Sequence, residues 1–254
     1  MTVKELYSYF DAKIPRALSC DWDNDGAMCI PSADREVRRV LVALDVTDEV
    51  VDEAINMGAD VIISHHPLIF KGIKSVSDSA YTKKLVKLIK NDIAVFSFHT
   101  RLDALDGGVN DTLAAALGLS CVEKLGSPDT GLGRVGVLDS EMSSEDFAKL
   151  VKEKLSCPFV LLSSSGKPSF KVALVGGEGS DEIRAAIAAG ADTFVSGRLG
   201  YHNMVDAKEN GINLIEAGHF FTEYPVCARL ADMVHKADNG IETEIIFTNK
   251  IKAI

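Results

Sequence analysis

Val61-Ile62-Ile63-Ser64-His65-His66-Pro67-Leu68-Ile69-Phe70 runs an apolar stretch straight into two adjacent histidines and a proline. Val61 to Ile63 reads as a buried strand. Pro67 cannot donate to a sheet ladder, so the strand stops at the histidine pair. Both imidazoles are thereby set at the carboxyl end of a strand, where open α/β sheets hold their ligands. Five of the six histidines (His65, His66, His99, His202 and His219) end or follow a strand-like apolar run.

Outward from this stretch a pattern occurs twice. Arg39 to Leu44 is a strand, Thr47 or Asp48 caps a helix through Met57, and Gly58-Ala59-Asp60 turns into the strand ending at Ser64. Later, Lys171 to Val175 is a strand, Ser180 caps a helix through Ala189, and Gly190-Ala191-Asp192 turns into Thr193 to Ser196. Val40 to Gly58 spans the same distance as Val172 to Gly190. Each copy continues through a helical segment to another strand, Ile93–Phe98 and Ile212–Glu216. The repeat indicates an internal duplication of a βαβαβ unit.

Around the two copies, residues 2–13 form an amphipathic helix with Leu6, Tyr7 and Phe10 on one face, and Asp21 to Gly26 is a polar loop anchored by Trp22. Gly131 to Leu138 is a strand, Ser143 caps a helix with Phe147, Leu150 and Leu155 inward, and Pro158 to Ser163 is a strand. Glu242 to Phe247 closes a sheet. The expected fold is α/β: two related units, each a largely parallel sheet flanked by helices, with a metal site at the strand carboxyl ends between them. The units are assigned to residues 1–125 and 126–254, the C-terminal part packing back on the first.

Composition narrows the function. The 254 residues are 46% hydrophobic and 25% charged, ordinary for a globular protein. No apolar run approaches the roughly 18 residues of a membrane span. The charged amino terminus lacks the apolar core of a secretion signal, which predicts a cytoplasmic protein. Five cysteines without a C-x-x-C pair argue against a disulfide framework and against a thiolate zinc site. A net charge of −10 disfavours nucleic acid as a partner.

The histidines and carboxylates point to metal chemistry. In an extended chain the side chains of His65 and His66 diverge, so two ions roughly 3.5–4 Å apart accept one each more readily than one ion accepts both. His99-Thr100-Arg101-Leu102-Asp103 adds a carboxylate able to bridge two cations. His219 and Glu223 stand four apart, on one face of a helix that begins near His219. This sulfur-free donor set of His65, His66, Asp103, His219 and Glu223 suits zinc, iron or manganese and argues against copper(I). His99 and His202 read either as general acid/base groups and partners that orient a ligand, or as hydrogen-bonded imidazoles of the fold. Gly176-Gly177-Glu178-Gly179-Ser180 has the look of a phosphate-cradling loop but lacks the full glycine fingerprint, which favours a tight turn.

Ser64 to Phe70, His99 to Asp103 with Gly107-Gly108-Val109-Asn110-Asp111, and Gly218 to Glu223 together resemble the Nif-three-like family of dinuclear-metal proteins, labelled GTP cyclohydrolase I type 2 homologs. The resemblance runs from Trp22-Asp23-Asn24 to Thr222-Glu223. It implies a two-domain α/β protein assembled as a toroidal homohexamer of paired trimers. His65, His66, Asp103, His219 and Glu223 fall on the family's metal ligands, and His99 and His202 on histidines that line the same pocket. Longer members insert a further domain; this chain resembles the short form. Arg101 and Arg198 stand where the family usually has asparagine and aspartate, which would change the charge of the pocket.

The resemblance implies a hydrolase that uses two divalent ions on a nucleotide-like small molecule, with His99 or His202 delivering a proton to the leaving group. The rival is a non-catalytic, metal-loaded ring that acts as a protein- or DNA-interaction hub.

Overall fold

A computed structural model describes residues 1–77, 79–126 and 131–253. In chain order its elements are α1 (Val3–Lys13), β1 (Gly26–Cys29), β2 (Arg39–Ala43), α2 (Asp48–Met57), β3 (Val61–Ser64), α3 (Ala80–Lys90), β4 (Ala94–Ser97) and α4 (Thr100–Ala104). Next come α5 (Val109–Ala116), β5 (Ser120–Lys124), β6 (Arg134–Met142), α6 (Ser144–Lys154), β7 (Leu161–Ser163) and β8 (Ser169–Glu178). The chain continues through α7 (Ile183–Ala188), β9 (Thr193–Arg198), α8 (Tyr201–Asn210), β10 (Asn213–Glu216), α9 (His219–Glu223), α10 (Val226–Ala237) and β11 (Glu242–Ile245). Contacts group these into two compact units, Met1–Leu102 with Cys227–Lys250, and Asp103–Val226 with the tail from Ile251.

The first unit holds a five-stranded sheet in the order β1-β4-β3-β2-β11, antiparallel only at the β1 edge. Thr47 caps α2 by accepting from Val50 N at 3.3 Å, and Gly58 ends it in the left-handed conformation at φ 66°, which a glycine adopts without a Cβ penalty. One sheet face packs Leu41, Ala43, Ile62 and Val95 against Val50, Val51 and Ala54 of α2 and Leu88 of α3. On α1, Phe10 stacks on Phe98 at 5.4 Å and Tyr7 lies 5.1 Å from Phe96. Each fully buried aliphatic or aromatic side chain contributes about 1.5–3 kcal/mol.

The second unit holds a six-stranded sheet in the order β5-β6-β8-β9-β10-β7. Strands β8, β9 and β10 run parallel, while β6 and β7 join antiparallel. Helices cover both faces, so β8 reads as continuous apolar sequence: Val172 and Leu174 pack with Leu113, Phe147 and Val151, and Ala173 and Val175 pack with Ile183, Ala186 and Phe194.

The duplication appears in the backbone. Val40 registers with Val61 and then Ala94, as Val172 registers with Thr193 and then Asn213. Asp60 accepts from the backbone of Arg38 and Arg39 at 2.7 and 2.9 Å, and Asp192 accepts from Phe170 and Lys171 at 3.1 and 2.8 Å. The Gly-Ala-Asp turn therefore clamps the start of the preceding strand in both copies.

Three readings are corrected. Ser180 caps nothing: it opens a 3-10 turn, bonds Glu178 at 3.4 Å, and leaves α7 to begin at Ile183. Trp22 does not anchor its loop, because its side chain is 64% exposed. Strands β6 and β7 start later than the sequence suggests, at Arg134 and Leu161.

Candidate metal centre

In the first unit, backbone bonding continues past β3, with His66 N donating to Leu44 O at 2.9 Å. The chain bends at His65 and His66 and brings their rings side by side, the centroids 4.9 Å apart. His99 follows β4, the neighbouring strand, and its ring lies 5.3 Å from His65 and 5.7 Å from His66. One ring nitrogen from each histidine lies within 4.8 Å of the other two.

Each ring is oriented from behind. His65 Nδ1 bonds Phe98 O at 2.9 Å, His66 Nδ1 bonds Asp45 Oδ1 at 2.7 Å, and His99 Nδ1 bonds Asp23 Oδ1 at 2.9 Å. A carbonyl oxygen only accepts, so His65 carries its proton on Nδ1 and, when neutral, its lone pair on Nε2. The carboxylates impose the same tautomer on His66 and His99. Burial pushes the Asp23 carboxyl up, but hydrogen bonds from His99 and from Thr100 (Oγ1 at 2.6 Å, N at 3.0 Å), together with the His99 charge, outweigh it and hold the group down at about 2. Imidazoles with the outer nitrogen tied to a carboxylate or carbonyl are the usual form of metal-ligating histidine.

Asp23 and Asp45 are the residues that sequence reading missed. Asp23 lies inside the polar run from Asp21 to Gly26, yet its partner His99 is 76 positions away, and Asp45 is 21 from His66. No local periodicity reports such pairs.

In the second unit, acidic donors dominate. Asp103 sits in the last turn of α4, and its backbone carbonyl accepts from Asn110 Nδ2 at 3.2 Å. Asn110 is buried, also donates to Leu132 O at 2.7 Å, and accepts from Gly176 N at 2.8 Å. The Gly107 to Asp111 motif thus ties Asp103 to the end of β8. Asp111 itself grips Arg134 at 2.8 and 2.9 Å; burial raises the Asp111 carboxyl, and the Arg134 hydrogen bonds bring it net below its ordinary value.

Helix α9 brings His219 Nε2 to 3.1 Å from Glu223 Oε2, the one-face geometry expected from their spacing. Glu223 is buried, and a carboxylate oxygen of Asp103 lies within 4.8 Å of one of its own. The glycines after β8 serve this helix. A Cβ on Gly177, whose φ is +69°, would run into Glu223 Oε1, and one on Gly197 would meet His219 Cα at 2.6 Å and Thr222 Oγ1 at 2.7 Å. Thr222 Oγ1 accepts from Gly177 N at 3.0 Å and donates to His219 O at 2.9 Å, which fixes the turn. Gly176-Gly177 is therefore a packing seat for α9.

A model of the family described as Duf34/NIF3 (NGG1p interacting factor 3) matches residues 1–253. The chain belongs to the DUF34/NIF3 family. A Clostridium perfringens relative named GTP cyclohydrolase 1 type 2 homolog is 34% identical over 251 residues, 95% of each chain. The crystal structure of a Staphylococcus aureus hypothetical protein matches with a TM-score of 0.93 at 32% identity, covering 100% of this chain and 99% of that one. A Bacillus cereus protein related to NIF3 matches with a TM-score of 0.92 at 28% identity, covering 100% and 99%.

Two arginines, Arg101 and Arg198, distinguish this NIF3 family member from the expected motif. Arg101 is fully buried and turns toward α1: Nε donates to Asp25 at 3.1 Å, Nη1 to Asp11 at 2.7 Å and Ile14 O at 2.8 Å, and the guanidinium lies 4.7 Å from the Phe98 ring. Its charge is spent within the fold. Arg198 is exposed and lies 3.6 Å from exposed Glu178. His202 projects from α8 into solvent beside Tyr201 and belongs to none of the clustered donor groups. Among the described residues no helix is long and apolar enough to cross a membrane.

Proposed function

We propose that this DUF34/NIF3 protein is a metal-dependent hydrolase of a nucleotide-like small molecule that uses divalent ions, with His65, His66, Asp103, His219 and Glu223 as their ligands. The observation that carries the reading is the triple orientation of His65, His66 and His99 through Nδ1. That arrangement fixes imidazoles as lone-pair donors and has little other use. Neutral imidazoles cannot balance two divalent charges, and Asp103 and Glu223 supply the negative charge. Zinc, iron and manganese suit these nitrogen and oxygen donors.

His65 and His66 would hold one ion each. Asp103, His219 and Glu223, which lie close to one another, would supply the remaining donors. Such ions, when bound, lower the pKa of a water toward neutrality and so supply the nucleophile of a hydrolysis. His99, packed against both other rings and bonded to Asp23, would carry the proton; exposed His202 is the less suited of the two. The names of the relatives support a nucleotide substrate, and the family resemblance supports a homohexameric ring.

The test is metal analysis of the purified protein, followed by product analysis with purine nucleotides in the presence of zinc, iron or manganese. Turnover that Asp103→Ala abolishes, with unchanged folding and unchanged sedimentation as a hexamer, supports the proposal. Metal bound without turnover on any nucleotide favours the interaction hub.

A further inference from the structure

Trp22 and Phe70 are 64% and 45% exposed, although large aromatic side chains are ordinarily covered. They are not scattered. Their ring centroids lie 6.2 Å apart in an edge-to-face arrangement, and those of Trp22 and Phe70 lie 6.2 and 6.3 Å from that of His99. Two exposed aromatic rings thus border one of the three clustered imidazoles.

The backbone beneath them is fixed. Asp23 N donates to Cys20 O at 3.0 Å, and Cys20 N donates to Thr100 Oγ1 at 2.9 Å. Asp23 holds His99 and Thr100, and the Asn24 side chain donates to Ile69 O, joining the tryptophan loop to the residue before Phe70. Residues 20–24 therefore cannot fold over to bury Trp22 without breaking these hydrogen bonds. An apolar surface held open at such a cost, next to catalytic chemistry, has the form of a preorganised stacking platform.

We infer that Trp22 and Phe70 receive the planar heteroaromatic ring of the substrate, setting its reactive edge toward His99. The inference rests on the reading above for what the neighbouring donors do, but the platform itself requires no metal. Flat, polarisable rings are favoured there because both side chains offer π surface and no charge.

Trp22 is the only tryptophan in the chain, so its fluorescence reports on the platform directly. The full-length protein is titrated with guanosine, GTP and ribose 5-phosphate, with and without added manganese. The expected result is saturable quenching by guanosine and GTP and none by ribose 5-phosphate. Calorimetry should show binding weakened about tenfold or more in Phe70→Ala and in Trp22→Ala, with Trp22→Phe restoring most of it. Quenching that is linear in ligand, equal for ribose 5-phosphate, or unaffected by Phe70→Ala would overturn the inference. So would Trp22 emission that changes with protein concentration alone, because the aromatic pair would then be covered by a second copy of the chain. Metal content measured on the same samples separates the two readings. Ring binding without metal leaves the platform and removes the hydrolase, whereas metal without ring binding does the reverse.

Discussion

The two halves of the duplication use the same three parallel strands for opposite purposes. In the first, β3 and β4 end in histidines, and the side chains themselves are the product: each ring leaves the sheet edge and is pinned from behind by Phe98 O, Asp45 or Asp23. In the second, the strand ends carry glycine. Gly197 follows Ser196 as His65 follows Ser64, and Gly218 follows Ala217 as His99 follows Phe98. The missing side chain of Gly197 lets α9 settle against β9 and deliver His219 and Glu223 from a helix, while Gly218 takes the φ of +85° at its start. One copy thus presents histidines at its strand ends, and the other uses its strand ends as a floor. The lesson is that a glycine in a duplicated position can be as functional as the histidine it matches.

The comparison can be broken most forcefully through the frame of the first unit. Arg101→Ala would strand the Asp25 carboxylate, which is buried, and remove the cation that joins α1 to the α4 turn. Losing one partner of a buried pair costs about 3–5 kcal/mol, and urea unfolding should show it. On the other side, Gly197→Ala places a Cβ within 2.7 Å of three atoms, including His219 Cα. Overpacking of this kind costs about 1–3 kcal/mol, and the penalty should be smaller in a Thr222→Ala background, which removes one of the three atoms.

Asp45→Asn tests how much the rear anchors matter. The amide can donate where only an acceptor orients His66, so metal affinity should fall about 10- to 100-fold, with little change in unfolding midpoint. The matching change at Asp23 should also weaken the His99 side. The smallest effect concerns acid. Asp23 has a folded pKa of about 2, below its ordinary 3.8. A depressed carboxyl stabilises the fold above its unfolded pKa, and that contribution disappears as the pH falls from about 4 to about 2. The loss is about 2 kcal/mol at most. Asp23→Asn should flatten the stability profile in that window.

Much of this fold was legible because the relevant signals are local. The apolar runs of β2, β3, β8 and β9, the Thr47 and Ser143 caps and the four-residue spacing of His219 and Glu223 all lie within one turn or one strand. What escaped notice was not local. Strand β1 is four residues long and gains its identity only by pairing with β4. Strand β5 is mostly exposed, interrupted by a bulge, and takes Cys121 through φ 51°, so no alternation marks it. Ser180 looked like a cap because it precedes an apolar period, but Gly179 sits tight against Ser196 and the chain enters α7 through a 3-10 turn. Arg101 was misjudged for a related reason. The family pattern at position 101 suggests a change of pocket charge, whereas Asp25 and Asp11, 76 and 90 positions away, hold Arg101 inside the fold.

The last strand carries a consequence for how the polypeptide is made. Because β11 zips onto β2 in register from Arg39 to Val42, an early strand keeps a raw edge throughout synthesis of everything between them. Asp103 to Val226, the main body of the second unit, emerges from the ribosome before residues 242–245 complete the first sheet. Until then that edge is open to pairing with a neighbouring nascent chain.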